Sequence, residues 1–327
     1  MAYTTSMAFW TLAPGHGVLR SQPLEAPGPE DVLVEALYSG VSRGSESLVF
    51  TGRVPSSEYQ RMRAPFQEGD FPGPLKYGYA SVGRVIEGPE ALRERTVFCL
   101  YPHQQRYVVP ASAVHPLPDD VPAERAVLAA NLETAINGVW DAAPGVGDRI
   151  CVIGAGVVGA LVAWLCEGIP GTRVWLVDIE PERAGLAQAL GVSFALPEEA
   201  PLDNDLVIHA SGHPTGLETA LSVAAREATL VEMSWYGEQP VALSLGGAFH
   251  AQRLTLRSSQ VGGIAPQRQP RWDFRRRLRL ALRLLAEPRL DALISGETPF
   301  ASLPDEMPRL VQGIGKVLCH RIRYAPT

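Results

Sequence analysis

Three glycines follow a short apolar run in the middle of the chain: Gly154, Gly156 and Gly159. The run before them, Ile150–Ile153, has the composition of a buried strand, and the apolar residues after them suit a helix. In such a strand–turn–helix the glycines permit a tight turn, close approach of a ligand, and tight packing of helix on strand. N–H groups at the helix start, including those of Val157 and Val158, then bind a pyrophosphate. The pattern predicts a dinucleotide site; the alternative is a glycine-rich core turn that binds nothing.

An acidic residue, Asp178, ends the next predicted strand, 19 residues beyond Gly159. A carboxylate at about this distance accepts hydrogen bonds from ribose hydroxyls and repels the 2′-phosphate of NADP. The sequence therefore predicts NAD(H), with NADP as the alternative because Arg183 follows five residues later. Arg183 also has two other interpretations, a solvated side chain and a residue that stacks on the adenine.

Strand and helix patterns alternate from about residue 149 to 263. The predicted strands are Arg149–Ile153, Arg173–Val177, Leu206–His209, Leu230–Met233 and Leu254–Arg257. The predicted helices between them are Val157–Cys166, Pro181–Leu190 and Gly216–Ala225. This alternation indicates an α/β fold with a doubly wound parallel sheet of the Rossmann type.

Two polar residues come at the end of the third of these strands. Ligands of doubly wound sheets bind at the carboxyl ends of the strands. His209 is therefore a candidate catalytic residue and Ser211 a candidate cofactor ligand. A histidine whose hydrogen bonds are satisfied in the core is the alternative for His209.

Residues up to about 122 are rich in Gly and Pro and carry short alternating apolar runs that predict strands: Val32–Leu37, Ala80–Ile86 and Gln105–Val109. After the parallel sheet come a predicted helix at Trp272–Ala286, a strand near Ala292–Ile294, a short helix and a strand at Lys316–Arg323. We expect this tail to return to the β-rich domain. The predicted domains are therefore 1–125, completed by 265–327, and 126–264.

The composition narrows the class of protein. Hydrophobic residues make up 46% of the 327, which is enough for a sizeable core, and the net charge of -6 gives no basic footprint for nucleic acid. No apolar stretch is long enough for a membrane span, and the first ten residues do not resemble a secretion signal. Four cysteines without a C-x-x-C pair indicate a reducing compartment, so we expect a cytoplasmic protein.

Arginines recur at helical spacing in the tail: Arg271, Arg275, Arg279 and Arg283. Apolar residues line the neighbouring face of the same predicted helix: Phe274, Leu278, Leu282 and Leu285. The favoured interpretation is the solvated face of an amphipathic helix. A patch that attracts anionic substrates is the alternative.

The chain resembles the medium-chain dehydrogenase/reductases, in their zinc-type alcohol dehydrogenase-like branch, over essentially its whole length. The motifs that carry the resemblance are Ser39–Glu46, Tyr77–Gly83, Pro144–Arg149 and the glycine motif. The resemblance implies a GroES-like catalytic domain beside the Rossmann domain. It also implies an NAD(P)-dependent dehydrogenase or reductase that acts on a small molecule, and a homodimer.

The chain departs from the zinc members at their metal ligands. Ser42 and Arg43 stand where the resemblance places a ligating cysteine, and Tyr79 stands where it places a ligating histidine. Near the third position Glu133 is the one side chain suited to a metal, and catalytic zinc needs three protein ligands. We therefore expect no zinc. His103 and Cys99, four residues apart, could suggest a metal site, but the favoured interpretation is that both are structural.

The emptied position suggests other catalytic groups. Tyr79 is a candidate proton donor, with volume filling as the alternative, and Ser45 matches the hydroxyl that relays protons in zinc members. Arg43 is expected to supply a positive charge that lowers the pKa of Tyr79. Its alternatives are a salt bridge to Glu46 and contact with a cofactor phosphate.

The sequence thus predicts a zinc-independent, NAD(H)-dependent oxidoreductase that transfers a hydride to or from an alcohol, carbonyl or amine of a small metabolite. One alternative is an NAD-binding sensor or scaffold without catalysis. The other is an NADP-dependent reductase of activated double bonds.

Overall fold

The computed structural model describes residues 4–313 and 317–325. Its strands are β1 (Thr5–Ala13), β2 (His16–Pro23), β3 (Asp31–Val41), β4 (Glu68–Gly69), β5 (Leu75–Lys76), β6 (Ser81–Glu87), β7 (Thr96–Cys99), β8 (Arg106–Pro110), β9 (Val114–Pro116), β10 (Arg149–Ile153), β11 (Arg173–Val177), β12 (Ser193–Ala195), β13 (Asn204–His209), β14 (Ala224–Glu232), β15 (Thr255–Ser258), β16 (Ile294–Pro299) and β17 (Cys319–Arg323). Its α-helices are α1 (Arg43–Phe50), α2 (Ala123–Ala126), α3 (Ala129–Ala142), α4 (Val157–Glu167), α5 (Arg183–Leu190), α6 (Pro214–Val223), α7 (Phe274–Leu284) and α8 (Leu303–Gln312).

A parallel sheet has the strand order β12–β11–β10–β13–β14–β15. Counted along the chain, this is the 3-2-1-4-5-6 order of a doubly wound Rossmann sheet. The predicted fold class is confirmed. Because parallel strands end at the same edge, the glycine loop after β10 and His209 at the end of β13 lie at neighbouring positions of that edge.

The sheet is built from strands whose side chains are buried on both faces. In β10, Ile150, Cys151, Val152 and Ile153 are at most 4% exposed, as expected of a strand covered by helices. Helix α5 ends at Leu190 and is capped by Gly191, whose φ of +77° is a left-handed conformation that glycine adopts easily.

The predicted strand Leu230–Met233 begins earlier than expected. Helix α6 ends at Val223, and Ala224 already belongs to β14. The prediction of a helix up to Ala225 was therefore wrong by one half-turn. Helical periodicity did not reveal that the strand begins at the residue directly after the helix.

The β-rich part contains two sheets. One has the order β2–β1–β5–β4, and the other has the order β16–β17–β3–β6–β7–β9, with β8 also paired to β3. The return of the tail to this part is confirmed by the pairing of β17 with β3. Strand β3 thus carries the segment that leads into α1, where several candidate residues lie.

The elements of the tail begin at later residues than predicted. Helix α7 spans Phe274–Leu284, and β16 begins at Ile294 because the residues before it form a 3₁₀ turn. Lys316, the predicted start of the last strand, lies outside the described residues, and β17 begins at Cys319. Phe274 is 53% exposed, so it does not belong to the apolar face of α7 as predicted.

Contacts divide the chain into two compact units, Met1–Ala130 with Leu282–Thr327, and Asn131–Ala281. They differ from the predicted domain bounds over residues 126–130 and 265–281. Arg277 of α7 explains part of this, because its guanidinium bonds to Glu133 and Asn137 of α3. Within the described residues, no helix combines the length and the apolar character needed to cross a membrane.

Candidate functional site

The glycine loop has the geometry that its sequence predicts. Gly154 has a φ of +104°, and a Cβ there would lie 2.6 Å from the Ser211 backbone nitrogen. A Cβ on Gly159 would lie 1.9 Å from the Gly154 carbonyl oxygen, whereas one on Gly156 would meet nothing within 4 Å. The loop is therefore closed against the protein and open at Gly156. Helix α4 begins directly after it with Val157 and Val158.

The Asp178 carboxylate stands beside this loop. Its Oδ2 accepts a 2.6 Å hydrogen bond from the Ala155 N–H, and its Oδ1 accepts one of 3.0 Å from the Glu180 N–H. Each carboxylate oxygen has a second acceptor position. Arg183 opens α5 and is 8% exposed, which excludes the interpretation as a solvated arginine.

A chain of polar side chains crosses the carboxyl ends of β13 and β14. His209 Nε2 lies 2.6 Å from Ser211 Oγ, and His209 Nδ1 lies 2.7 Å from Glu232 Oε2. The Tyr236 hydroxyl donates to the same Glu232 oxygen at 3.0 Å. Because a carboxylate only accepts, the imidazole donates from Nδ1 to Glu232; when the ring is neutral, it receives the Ser211 hydroxyl hydrogen at Nε2.

His209 has features of both interpretations, a core histidine with satisfied hydrogen bonds and a residue of the functional site. The imidazole is 1% exposed and its two nitrogens have partners, as in a satisfied core histidine. The hydrogen-bonded side chains nevertheless end in Ser211, which is exposed and packs against the glycine loop. Burial raises the pKa of the Glu232 carboxyl, but the hydrogen bond and charge of His209, together with bonds from Ser234, outweigh it and lower that pKa.

A second polar network is buried in the β-rich unit. His103 Nε2 lies 2.9 Å from Glu46 Oε2, and His103 Nδ1 lies 2.7 Å from Ser39 Oγ. Ser39 Oγ also lies 3.0 Å from the Tyr324 hydroxyl. Glu46 and His103 are at most 2% exposed. Glu46 and His103 are therefore hydrogen-bonded to each other, as a buried charged group requires.

Helix α1 fixes the position of Glu46. Ser42 is its N-cap residue, and the Glu46 carboxylate accepts a 2.8 Å hydrogen bond from the Ser42 N–H. A carboxylate in the first turn of a helix also interacts favourably with the helix dipole. The salt bridge between Arg43 and Glu46 that the sequence suggested is therefore not formed; Glu46 pairs with His103 instead.

Tyr79 belongs to this second group of side chains. It is half-buried and forms side-chain hydrogen bonds with Ser42 and Ser45. Burial raises the pKa of Tyr79 to about 12, and the negative charge of Glu46 contributes to the increase. The structure thus brings together Tyr79 and Ser45, two of the predicted catalytic residues.

Arg43 has a different environment from the predicted one. Its guanidinium donates to the carbonyl oxygens of Gly313, at 2.6 Å, and Val317, at 3.4 Å. The expectation that Arg43 lowers the pKa of Tyr79 was wrong: that pKa is raised, and its causes include Glu46 but not Arg43. The sequence did not reveal that the Arg43 side chain reaches the carbonyl oxygens of residues that follow α8.

The three side chains considered above as metal ligands are hydrogen-bonded to other groups or keep their proton. Glu133 Oε1 accepts a 3.0 Å bond from Arg277 Nε. Both ring nitrogens of His103 are hydrogen-bonded, and burial raises the pKa of the Cys99 thiol to about 12. Within the part of the chain that the structure describes, no group of three His, Cys, Asp or Glu residues is arranged to hold a metal ion.

Three contributors were missed by sequence reasoning: Glu232, Tyr236 as a partner of Glu232, and the pairing of Glu46 with His103. For Glu232 a signal existed. It ends the strand next to the one that His209 ends, and the two residues are paired in register.

Known proteins resemble the chain in sequence. The 2-desacetyl-2-hydroxyethyl bacteriochlorophyllide A dehydrogenase of Cereibacter sphaeroides is 27% identical over 256 residues, which is 71% of this chain and 74% of that protein. A scan against models of protein families found no match.

Solved structures share the fold. The L-idonate 5-dehydrogenase of Escherichia coli K-12 superposes with a TM-score of 0.80 at 16% identity, over 98% of each chain. A protein described as a short chain alcohol dehydrogenase from E. coli CFT073, complexed with NADH, has a TM-score of 0.78 at 16% identity, over 98% of this chain and 100% of its own. In its motifs, its sheet order and these similarities, the chain resembles the zinc-type alcohol dehydrogenase-like branch of the medium-chain dehydrogenase/reductases.

Proposed function

We propose that this chain is an NAD(H)-dependent oxidoreductase that interconverts an alcohol and a carbonyl of a small metabolite without a catalytic zinc. The observation that carries the proposal is the hydroxyl cluster of Tyr79, Ser42 and Ser45, backed by Glu46. Tyr79 and Ser42 stand where the resemblance places zinc ligands, and Ser45 stands where it places the hydroxyl that relays protons. The named activities of the similar proteins, on a hydroxyethyl bacteriochlorophyllide and on L-idonate, support a hydroxyl–carbonyl pair as the reacting group.

The glycine loop and Asp178 fit a dinucleotide. Space is open at Gly156, and the helix N-terminus that follows favours a pyrophosphate. Asp178 keeps free acceptor positions for ribose hydroxyls, and its charge opposes a 2′-phosphate, so we propose NAD(H) over NADP(H). When bound, the nicotinamide supplies or accepts the hydride.

The chain does not fit a catalytic zinc. Hydroxyl groups replace the expected thiolate and imidazole, and the Glu133 carboxylate is held by Arg277. The two other candidates are unsuited, because His103 has no unshared nitrogen and Cys99 retains its proton. We therefore propose that protein hydroxyls polarise the substrate oxygen.

Tyr79 is suited to donate a proton and unsuited to remove one at neutral pH. With a pKa raised to about 12, its hydroxyl stays protonated and presents a hydrogen bond to the oxygen of a carbonyl. As that oxygen gains negative charge, a fixed donor stabilises it. Ser42 and Ser45 hold the phenol in place, and Ser45 provides the next hydroxyl for proton exchange.

The Ser211–His209–Glu232 chain is our second candidate for proton transfer. Ser211 is exposed beside the glycine loop, and His209 connects it to the half-buried carboxylate of Glu232. A proton released at Ser211 can pass to His209, with Glu232 stabilising the resulting imidazolium. We also propose a reducing, cytoplasmic setting, supported by four buried free thiols.

The proposal is tested with protein that has been treated with a chelator and analysed for metals. NADH turnover is measured on a panel of ketones and aldehydes, for the wild type and for Tyr79→Phe. Loss of a general acid costs about 10²–10⁴ in rate, so Tyr79→Phe should fall by that factor while NADH binding stays unchanged. Tyr38→Phe is the control, because its hydroxyl bonds to Glu124 elsewhere in the unit.

Three outcomes contradict parts of the proposal. One zinc per chain in protein that has only been mildly dialysed, measured before the chelator treatment, refutes zinc independence. Wild-type turnover by Tyr79→Phe makes Tyr79 a space filler and moves the proton path to Ser45 or His209. NADH binding without turnover on any substrate favours the sensor instead.

A further inference from the structure

Arginines are concentrated around the start of α7. Between residues 268 and 283 there are seven arginines and one acidic residue, in a chain whose net charge is -6. Arg277 is buried and paired with Glu133. Within the described residues, none of the other six forms an ion pair with an acidic side chain. Positive charge is therefore left uncompensated at this place.

Three of these arginines surround a concavity. A cavity of about 510 Å³ is lined by Gln267, Arg268, Pro270, Arg271, Trp272 and Arg276. All three arginines are exposed. This volume lies within the range of small-molecule sites, roughly 300–1,000 Å³. The charge thus faces a space of metabolite size rather than a flat surface.

Aromatic rings hold two of the guanidinium groups. The Arg276 Cζ lies 4.0 Å from the centre of the Trp272 ring, and the Arg268 Cζ lies 5.6 Å from that of Trp140. The two tryptophan rings contact each other, with centroids 4.8 Å apart. Stacking fixes side chains that are otherwise flexible, so less conformational entropy is lost when a ligand binds.

The backbone around the cavity is also fixed. Arg277 donates to the carbonyl oxygens of Val261, at 2.6 Å, and Gly263, at 3.0 Å. The Gln267 side-chain amide donates to the carbonyl oxygen of Trp140. Arg276 also donates to the carbonyl oxygen of Arg271. The cavity is therefore a built feature of this unit, with Arg271 left to bind a ligand.

From this arrangement we infer a binding site for a small polyanion, bearing two or more carboxylate or phosphate groups, between Arg268, Arg271 and Arg276. A guanidinium presents a planar fork of N–H donors that matches both oxyanions in a bidentate manner. Three such groups around one cavity favour a ligand with more than one anionic group. The solvated-face interpretation still applies to the exposed arginines of α7 that do not line the cavity, Arg275, Arg279 and Arg283.

The site is tested by calorimetry with pyrophosphate and, separately, with citrate. Both titrations are done at moderate salt in the presence of saturating NADH, which prevents pyrophosphate from occupying the glycine loop. The variants are Arg271→Gln and Arg268→Gln. The control is Arg279→Gln, which removes the same charge from an exposed position of α7 outside the cavity.

We expect at least one probe to bind, and each cavity variant to weaken it by about tenfold or more, as loss of a charge-assisted bond implies. Arg279→Gln should stay within about twofold, since a distant surface charge is screened. Binding of pyrophosphate alone identifies a phosphate ligand, and binding of citrate alone a polycarboxylate.

Two results overturn the inference: neither probe binds the wild type, or Arg279→Gln weakens binding as much as Arg271→Gln, which would indicate diffuse charge. Thermal unfolding of each variant checks that it is folded. NADH binding is measured in parallel; if it fails while the anion still binds, the proposed function is wrong and this site stands.

Discussion

Tyr79 keeps its proton over the whole neutral range, because burial and the charge of Glu46 raise its pKa to about 12. A metal ion attracts the substrate oxygen by charge, whereas this hydroxyl attracts it by a hydrogen bond. In the proposed function, the tyrosine replaces one function of the metal, the stabilisation of negative charge on oxygen. It does not replace the generation of a base, which alcohol oxidation needs. The site is better arranged for carbonyl reduction.

In the proposed function, Asp178 determines the choice between NAD(H) and NADP(H). Asp178→Ala removes charge-assisted hydrogen bonds to the ribose, worth about 1.5–3 kcal/mol, so NADH affinity should fall by about ten- to a hundredfold. Calorimetry with NADH and NADPH measures this. Asp178→Asn is the matched control, because an amide oxygen can still accept from the Ala155 N–H and support the loop. Tighter binding of NADPH than NADH by the wild type would contradict the assignment.

The hydrogen bond between His209 and Glu232 makes the stability of the protein depend on pH. Its pKa is lowered in the folded protein from the ordinary value of 4.5, although burial acts in the opposite direction. A lowered folded pKa contributes stability that is present above the ordinary pKa and is lost as the pH falls through the folded value. In Glu232→Gln the free energy of unfolding should therefore vary less with pH below about 4.5 than in the wild type.

Urea unfolding at a series of acidic pH values measures this dependence. The control is Glu238→Gln, a substitution at an exposed position six residues later. If the wild type and Glu232→Gln lose stability in parallel as the pH falls, the His209–Glu232 bond does not contribute in the way described.

At the scale of elements, regular patterns were sufficient for the parallel sheet. The strands Arg149–Ile153 and Arg173–Val177 match β10 and β11, because buried parallel strands are continuous apolar runs bounded by turns. The strand β12 was not predicted; it is three residues long and carries little periodic signal.

The polar networks were harder to predict than the elements. Glu46 and His103 are 57 residues apart in sequence, on a helix and a loop whose approach depends on the register of several strands. Local patterns contain no information on such a pairing. Likewise, the family resemblance placed Arg43 beside Tyr79, whereas its guanidinium donates to the carbonyl oxygen of Gly313.

Strand β10 and helix α4 pack closely where Gly159 meets Gly154, and this contact can be tested by substitution. Gly159→Ala places a methyl group where the Gly154 carbonyl oxygen already lies, 1.9 Å away, so strand and helix must separate. Overpacking of this kind costs about 1–3 kcal/mol. We expect a lower melting temperature and at least about tenfold weaker NADH binding, since the loop that receives the pyrophosphate must shift.

Gly185→Ala is the control for this substitution. Gly185 lies in α5, and a Cβ there meets nothing within 4 Å, so the alanine should be neutral or slightly stabilising. Thermal unfolding and NADH titration of both variants give the comparison. Unchanged NADH binding by Gly159→Ala would mean that the loop tolerates displacement and that its shape does not determine cofactor binding.

For the whole molecule, the distribution of charge is uneven. Acidic residues exceed basic ones by six over the chain, yet the segment from 268 to 283 is strongly basic. Like charges close together repel one another and are retained at a cost in stability. A local basic group in an acidic protein is thus consistent with a binding role, in addition to keeping α7 solvated.

The last prediction concerns assembly. Among the described residues, β15 pairs with β14 on one side only, so its other edge presents unpaired backbone groups. Leu245, close to this strand in sequence, is 47% exposed, and Trp235 and Tyr236 are half-buried. The family resemblance implies a homodimer, and pairing of two β15 edges would cover these groups. We therefore expect light scattering at micromolar concentration to give twice the chain mass.

Leu245→Arg should shift this equilibrium towards the monomer, because a charge in an apolar interface must be desolvated. Leu202→Arg is the matched control, since Leu202 is 63% exposed and follows β12 at the opposite end of the sheet order. A monomeric wild type would refute the assembly itself. A dimer that resists Leu245→Arg but is broken by Leu202→Arg would move the interface from β15 to the other edge of the sheet.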